Sequence, residues 1–401
     1  MDVPLGFQWK VSENTMCKLK KELYGLKRSP RAWFGRFTQA MISKGYKQSH
    51  ANPTLFIKHA STGKISILLV YVDDILVTGD DEEEKQSLGR YLSGEFEMKK
   101  LGRLKYFLGI EVAHSKHGIF ISQQKYITDL LRDTGKLACK PTTTPIDPHH
   151  KLGEAKEDGM VDTEMYQRLV GELIYLFHTR PDISYAVSVL SQFLHSPRKT
   201  HLQAVYGILQ YLKGSLGKGI LFKRSTRLNI EAYTDKRSTR LNIEAYTDVD
   251  YAGSVVDRRS TSGYCVFIGE NPVAWRSKKQ NVVARSSVEA EYRAMALGVC
   301  ELLWLKILLQ DLKIEWEGTM RLHYDNKSAI NIPHNAVQND RTKHIEVDRY
   351  FIKEKIDSGV ICTPYVPSQQ QLADILTKGL RKPTFEAILS NLGMENTYSP
   401  A

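Results

Sequence analysis

Four acidic residues stand where a strand would end or a helix would begin: Asp248, Glu291, Asp325 and Asp374. Asp248 closes the word LNIEAYTD, and Asp325 follows Arg321-Leu-His-Tyr. Glu291 lies early in a long helical pattern, and Asp374 lies near the start of the last one. Carboxylates gathered at one point repel one another unless cations hold them. With two Mg²⁺ (or Mn²⁺) ions about 3.5–4 Å apart, such a group becomes a phosphodiester hydrolysis site. Plainer readings stay open, with Asp325 as a helix cap and Asp374 as a surface acid. Glu289 has its own use. Ser286-Ser287-Val288-Glu289 fits a capping box, in which the glutamate folds back onto the Ser286 backbone N–H. Glu291 points about 200° away around the helix and is the better ligand candidate.

A second acidic feature is Asp73-Asp74, set between the apolar runs 65–72 and 75–79. The pattern predicts a hairpin with the two acids as its break. Tight primed turns favour Asn-Gly or Asp-Gly, so paired acids here either hold a cation or form an ordinary acidic turn. Upstream, Lys18, Lys20, Lys21, Lys27, Arg28, Arg31 and Arg36 are interleaved with Tyr24, Trp33, Phe34 and Phe37. Such a block can neutralise phosphates and stack on bases. It reads equally as an amphipathic helix whose rings face the core.

The elements that would position these groups follow from patterning. Residues 141–150 are rich in proline and threonine and read as a linker, and residues 163–222 are helical in period. Strands are expected at 263–269 and 272–277, a helix at about 287–312, a strand at 321–325, a helix at about 344–357, a strand at 360–366 and a helix from 369. Antiparallel strands followed by alternating helix and strand imply a mixed sheet with helices packed on it. The 13-residue word KRSTRLNIEAYTD occurs twice, at 223–235 and 236–248. Identity at every position marks a recent tandem duplication, or an assembly error in the sequence, rather than a divergent structural repeat, and two copies compete for one place in a sheet.

The chain has 401 residues, 42% hydrophobic and 25% charged, as globular proteins do. Basic residues exceed acidic ones by 56 − 45 = 11, which favours a polyanionic partner. Five widely spaced cysteines without a CxxC pair suggest free thiols. No signal-peptide pattern and no membrane-length apolar run is visible, so an intracellular, membrane-free setting is expected.

The words KLKKELYGLKRSPRAWFGRF, YVDDILVTGD, LGRLKYFLGIEV, TRPDISYAVSVLSQF, RRSTSGYCVFIG, VARSSVEAEYRAMA, HYDNKSAI, RTKHIEVDRYFIKEKI and QLADILTKGL occur in this order. They resemble the Pol polyprotein of copia-type LTR retrotransposons over nearly the whole chain. The resemblance implies an α/β and α+β multidomain protein. A truncated polymerase palm would span 1–140, a thumb or connection segment 141–222, and a ribonuclease H-like mixed sheet with flanking helices 223–392. It implies Asp73 as a polymerase metal ligand with Asp74 as support, and Tyr24 to Pro30 along nucleotide and template. It also implies Asp248, Glu291, Asp325 and Asp374 as the ribonuclease H carboxylates around two Mg²⁺ or Mn²⁺ ions. Lys27, Arg28, Arg31, Arg258, Arg259, Arg276, Lys278 and Lys279 would contact nucleic acid. The partners would be an RNA–DNA hybrid or a template–primer, together with the rest of the polyprotein, in a cytoplasmic virus-like particle or the nucleus.

Three departures from the family accompany these expectations. A further polymerase Asp belongs to a strand upstream of MDVPLGF, so the chain is expected not to polymerise DNA alone. Asp248 is favoured over Asp235 because looping out the first copy lengthens only an upstream connector, which costs little. Tyr350 stands where the family often has His, which puts any proton-transfer role there in doubt, and nearby His344 reads as a surface or packing residue.

Overall fold

The computed structural model describes residues 29–72, 74–96, 98–150, 152–154, 158–224, 242–314, 316, 318–326 and 343–396. Asp73, Tyr24, Lys27, Arg28 and Asp235, and the side chain of His344, lie outside that set. The chain forms two compact units, residues 1–101 with 307–314, and residues 102–306 with 315–401.

In the first unit, helix α1 (Ser29–Ser43) precedes strands β1 (Lys47–Gln48), β2 (Leu55–His59), β3 (Ile65–Tyr71) and β4 (Asp74–Gly79), and helix α2 (Glu82–Phe96) follows. The four strands pair antiparallel in sequence order. Alternate residues of β3 are buried: Ser66, Leu68 and Val70. Against Leu68 and Val70 pack Phe37 and Met41 of α1 and Leu88 and Leu92 of α2. Phe37 stacks on Trp33 at 5.3 Å and meets Phe56 at 5.7 Å and Phe96 at 5.3 Å. Of the described aromatic rings of the basic block, Phe37 is core and Trp33 and Phe34 are half-buried against it, while Arg31 and Arg36 face solvent. Tyr71 pairs with Asp74, so the hairpin break falls one residue earlier than expected, and Asp74 opens β4 instead of sitting in the turn. Val72 takes the strain of that turn, with φ at +50°.

The second unit begins with β5 (Tyr106–Phe107), β6 (Ile110–His114) and β7 (Gly118–Ser122), then helices α3 (Gln124–Asp133), α4 (Thr163–Tyr175), α5 (Ser184–Leu190) and α6 (Lys199–Gly214) and strand β8 (Lys218–Lys223). There follow β9 (Ile243–Asp250), β10 (Thr261–Ile268), β11 (Asn271–Lys279), α7 (Ser287–Asp311, of which the residues from Ile307 on belong to the first unit), β12 (Met320–His323), α8 (Lys343–Asp357), β13 (Ile361–Cys362), α9 (Lys382–Asn391) and β14 (Met394–Asn396). One sheet has the order β14-β8-β7-β6-β5, all antiparallel. The other has the order β11-β10-β9-β12-β13. β11, β10 and β9 pair antiparallel, whereas β9, β12 and β13 pair parallel. This is the mixed sheet with helices packed on it that the element order implied.

Seven of the eight residues of β10 are buried, as expected of a strand covered on both faces. Gly298 lets α7 lie close to the sheet, since a Cβ there would come 2.4 Å from Thr247 Cγ2 and 2.9 Å from Leu322 Cδ1. One apolar core joins α3–α6 to Cys265 and Phe267 of β10, to Ile375 and Leu376, and to Phe385 and Ile388 of α9. Trp275 Nε1–H donates to Phe177 O at 2.7 Å across the same core. The described cysteines Cys139, Cys265, Cys300 and Cys362 are free thiols. Among the described residues no helix is long and apolar enough to cross a membrane.

Candidate active site

β9 and β12 run parallel with His323 opposite Tyr246, so Asp248 and Asp325 lie two residues further on, at the same level of neighbouring strands. The second copy of the duplicated word therefore supplies the central strand, from Ile243 through Asp248. Asp374 arrives from a 3₁₀ turn, Leu372–Leu376, rather than from the start of the last helix. Gln371 fixes that turn from a fully buried position. Its Nε2 donates to Thr247 O at 3.0 Å, and its Oε1 accepts the Ala373 N–H at 3.2 Å.

Gly263 pairs with Asp248 and gives the turn its seat. A Cβ at Gly263 would lie 2.7 Å from Thr377 Cγ2 and 2.8 Å from Leu376 Cβ. Thr377 Oγ1 donates to Asp248 Oδ2, and Ser368 Oγ donates to Asp325 Oδ2 at 2.9 Å. As a result, one carboxylate oxygen from each of Asp248, Asp325 and Asp374 lies within 4.8 Å of the others.

Glu291 borders this triad without joining it at that spacing. Its Oε1 accepts from Asn326 Nδ2 at 3.1 Å. Burial pushes the Glu291 carboxyl up to about 8, with the charges of Asp248 and Asp325 adding to the rise and the Asn326 bond opposing it. Burial likewise lifts Asp374 to about 7, aided by Asp248 and opposed by Lys378. Asp250, two residues beyond Asp248 on β9, is raised by burial as well. Lys378 Nζ lies 2.9 Å from Asp374 Oδ1 and 3.3 Å from Asp248 Oδ2. One ammonium thus faces several acids, two of which burial and neighbouring carboxylates raise above the ordinary carboxylate range. Hard oxygen donors with excess negative charge fit Mg²⁺ or Mn²⁺.

Glu289 has the structural use its spacing suggested, with one shift. Its N–H donates to Ser286 Oγ at 3.2 Å, but its carboxylate accepts the backbone N–H of Arg285, at 2.8 Å, instead of that of Ser286. Arg293 completes the arrangement with an ion pair at 2.8 Å.

Residues 1–148 match the reverse transcriptase (RNA-dependent DNA polymerase) family. The chain is 40% identical over 394 residues, 98% of its length, to the retrovirus-related Pol polyprotein from transposon RE1 of Arabidopsis thaliana. It is 31% identical over 303 residues, 75% of its length, to a transposon Ty5-1 protein of Saccharomyces cerevisiae, 94% of which it covers. The chain belongs to the Pol polyproteins of copia-type LTR retrotransposons. It spans about a quarter, 26%, of the Arabidopsis polyprotein. Among solved structures, that of the foamy viral protease–reverse transcriptase in complex with double-stranded DNA is similar over 84% of this chain and 49% of that one, with 9% identity and a TM-score of 0.42.

In this Pol chain the basic residues singled out by sequence differ in setting. Arg276 and Lys278 are exposed on the same side of β11, the edge strand of the mixed sheet. Arg258 is exposed on the β9–β10 connection, with φ at +57°. Arg259 reaches Asp257 at 3.5 Å. Lys279 Nζ is held by Asp257 at 2.7 Å, Gln192 at 2.7 Å and Ser254 at 2.9 Å, so its charge serves this loop. Tyr350 is exposed on α8. Gln371, Thr377, Lys378 and Asn326 were not read from sequence as site residues. The one local signal was the helical i,i+4 spacing of Asp374 and Lys378.

Proposed function

We propose that this segment of a Pol polyprotein carries a ribonuclease H that cleaves the RNA strand of an RNA–DNA hybrid, joined to part of a reverse transcriptase. The observation that carries the reading is the approach of Asp248, Asp325 and Asp374 to within 4.8 Å of one another, from two parallel strand ends and a buried turn. These three residues, with Glu291 beside them, would hold two Mg²⁺ or Mn²⁺ ions. Bound there, the ions supply an activated water and a charge that stabilises the leaving 3′-oxygen.

The chain's own residues do the positioning. Gln371 and Gly263 hold the Asp374 turn against β9 and β10, and Thr377 orients the Asp248 carboxylate. Asn326 orients Glu291. Arg276, Lys278 and Arg258 face solvent, where they meet phosphates, and 2′-hydroxyl contacts identify the RNA strand. Asp73 and Asp74 belong to the polymerase part.

A labelled RNA–DNA hybrid incubated with Mg²⁺ tests the reading. Wild type is expected to cut the RNA strand, and Asp325→Asn to lose at least a hundredfold in rate while binding the hybrid as before. Equal cleavage by both proteins refutes the assignment. A second reading, binding without cleavage, draws on Lys378, whose ammonium already neutralises part of the acid cluster. It predicts hybrid binding that survives EDTA and no cleavage at any Mg²⁺ concentration.

A further inference from the structure

Lys378 sits inside the carboxylate cluster rather than at its rim. Its ammonium bridges Asp374 Oδ1 at 2.9 Å and Asp248 Oδ2 at 3.3 Å. Two of the three acids that approach one another are therefore joined by a resident monovalent cation. The lysine's backbone is fixed. Its N–H donates to Asp374 O at 3.1 Å, at the close of the 3₁₀ turn. The next residue, Gly379, is pressed against the 147–148 backbone, where a Cβ would come 2.8 Å from Pro148 Cα and 3.1 Å from Asp147 O. The chain at 378 cannot retreat, so any change must come from the side chain. That side chain is 40% exposed, unlike Asp248 and Asp374 at 7% and 11%, and has a route to solvent.

We infer that Lys378 is a tethered counter-ion that occupies the acid cluster when no divalent ion is bound, and that swings outward when one enters. This rests on the ribonuclease reading of the cluster. The physics is a competition. Asp248 and Asp374 cannot both give their strongest interaction to an ammonium and to a divalent ion at one point, because two cations a few ångströms apart repel. Lys378 thereby keeps the site folded and compact while empty, and lowers its affinity for metal. It acts through Asp248 and Asp374 and is a positioning residue, with no part in the reacting atoms.

The test uses the full chain and needs no turnover. Mn²⁺ binding is measured by titration calorimetry, and thermal unfolding is measured in EDTA and in saturating Mn²⁺. Wild type, K378M, K378R and D325N are compared. K378M is expected to bind Mn²⁺ about tenfold more tightly. Its Tm in EDTA is expected to fall by a few degrees, and its Tm gain on adding Mn²⁺ to exceed that of wild type. K378R, which keeps the charge, is expected to match wild type in both affinity and Tm. Equal or weaker Mn²⁺ binding by K378M overturns the inference, as does an unchanged Tm in EDTA or a K378R that behaves like K378M. If K378M does not fold, K378Q is judged by the same criteria. Mn²⁺ binding that D325N leaves untouched refutes the metal site itself, and the counter-ion with it. Binding that requires Asp325 but ignores position 378 refutes the counter-ion alone.

Discussion

Arg180 and Asp182 show how the TRPDI word works at the scale of single residues. Both side chains are fully buried, and they pair at 2.7 Å. Arg180 also donates to Ser215 O at 3.2 Å and Ser215 Oγ at 2.7 Å, and the Tyr211 hydroxyl donates to Asp182 Oδ2 at 2.6 Å. Charges in an apolar interior are tolerable only when paired and hydrogen-bonded. Removing one member leaves the other buried without its counter-charge. Arg180→Met is therefore expected to cost about 3–5 kcal/mol, read from the shift in denaturant midpoint. The double variant Arg180→Met with Asp182→Leu should recover part of that loss, because no orphaned charge remains. A single variant as stable as wild type would show that the pair is not what holds the 180–183 turn before α5 to the end of α6. The role of this word is structural, which residue types alone do not reveal. An Arg-x-Asp spacing reads equally well as a phosphate contact until its burial is known.

At the scale of elements, α6 starts on a capping box in which histidine replaces the usual glutamate. Arg198 N–H donates to His201 Nδ1 at 3.0 Å, and His201 Nε2–H donates to Leu152 O at 2.8 Å. The ring stacks on Phe193 at 3.8 Å. Both nitrogens are committed, so only the neutral Nε2–H tautomer fits, and burial holds the imidazole below its ordinary range. The sign follows from linkage. The unfolded chain takes up this proton at about pH 6.5, before the folded chain does, so stability present above that pH is lost as the pH falls below it. Half-buried His150 is lowered in the same direction and adds to the effect. Tm should drop between pH 7.5 and 5, and by less in His201→Gln; an equal drop in both would remove His201 as a cause. Some elements were legible because their signals are local. The antiparallel β10 and β11, the long α7 and the use of Glu289 follow from two strand-like runs joined by a short polar turn, from helical period and from an S-x-x-E spacing. The Asp74 turn was displaced by one because apolar runs on both sides leave its register unmarked. Asp374 was placed on an α-helix because its 3₁₀ turn depends on Gln371 reaching Thr247, 124 residues away. Lys378 escaped notice for the same reason, since Asp248 lies on another element.

At the scale of the molecule, the excess of 11 basic charges predicts binding to nucleic acid that weakens steeply with salt. Each phosphate neutralised adds about 0.9 to the slope of log K against log salt. Replacing exposed Arg276 and Lys278 by alanine should lower that slope by about 2 in anisotropy titrations, and an unchanged slope would place the nucleic acid elsewhere. The second prediction concerns where the chain can be cut. The duplicated word suggests a boundary at 222, yet the apolar core crosses it. Leu209, Leu212 and Ile220 on one side share that core with Phe267, Ile375 and Phe385 on the other. β14 pairs with β8, Met394 lying opposite Ile220. A fragment beginning at 223 would expose Cys265, Phe267 and the inner faces of the 372–376 turn and α9, and would leave β14 without a partner. Burial of apolar surface supplies most of the driving force for folding, and a domain's net stability is small. Residues 223–401 alone should therefore unfold without a cooperative transition and bind a hydrophobic dye, while the intact chain melts sharply. Because Asp374 and Lys378 ride on the turn that this core supports, the fragment should also lose Mn²⁺ binding. A fragment that melts cooperatively and binds Mn²⁺ as tightly as the whole chain would show instead that the mixed sheet carries its own core.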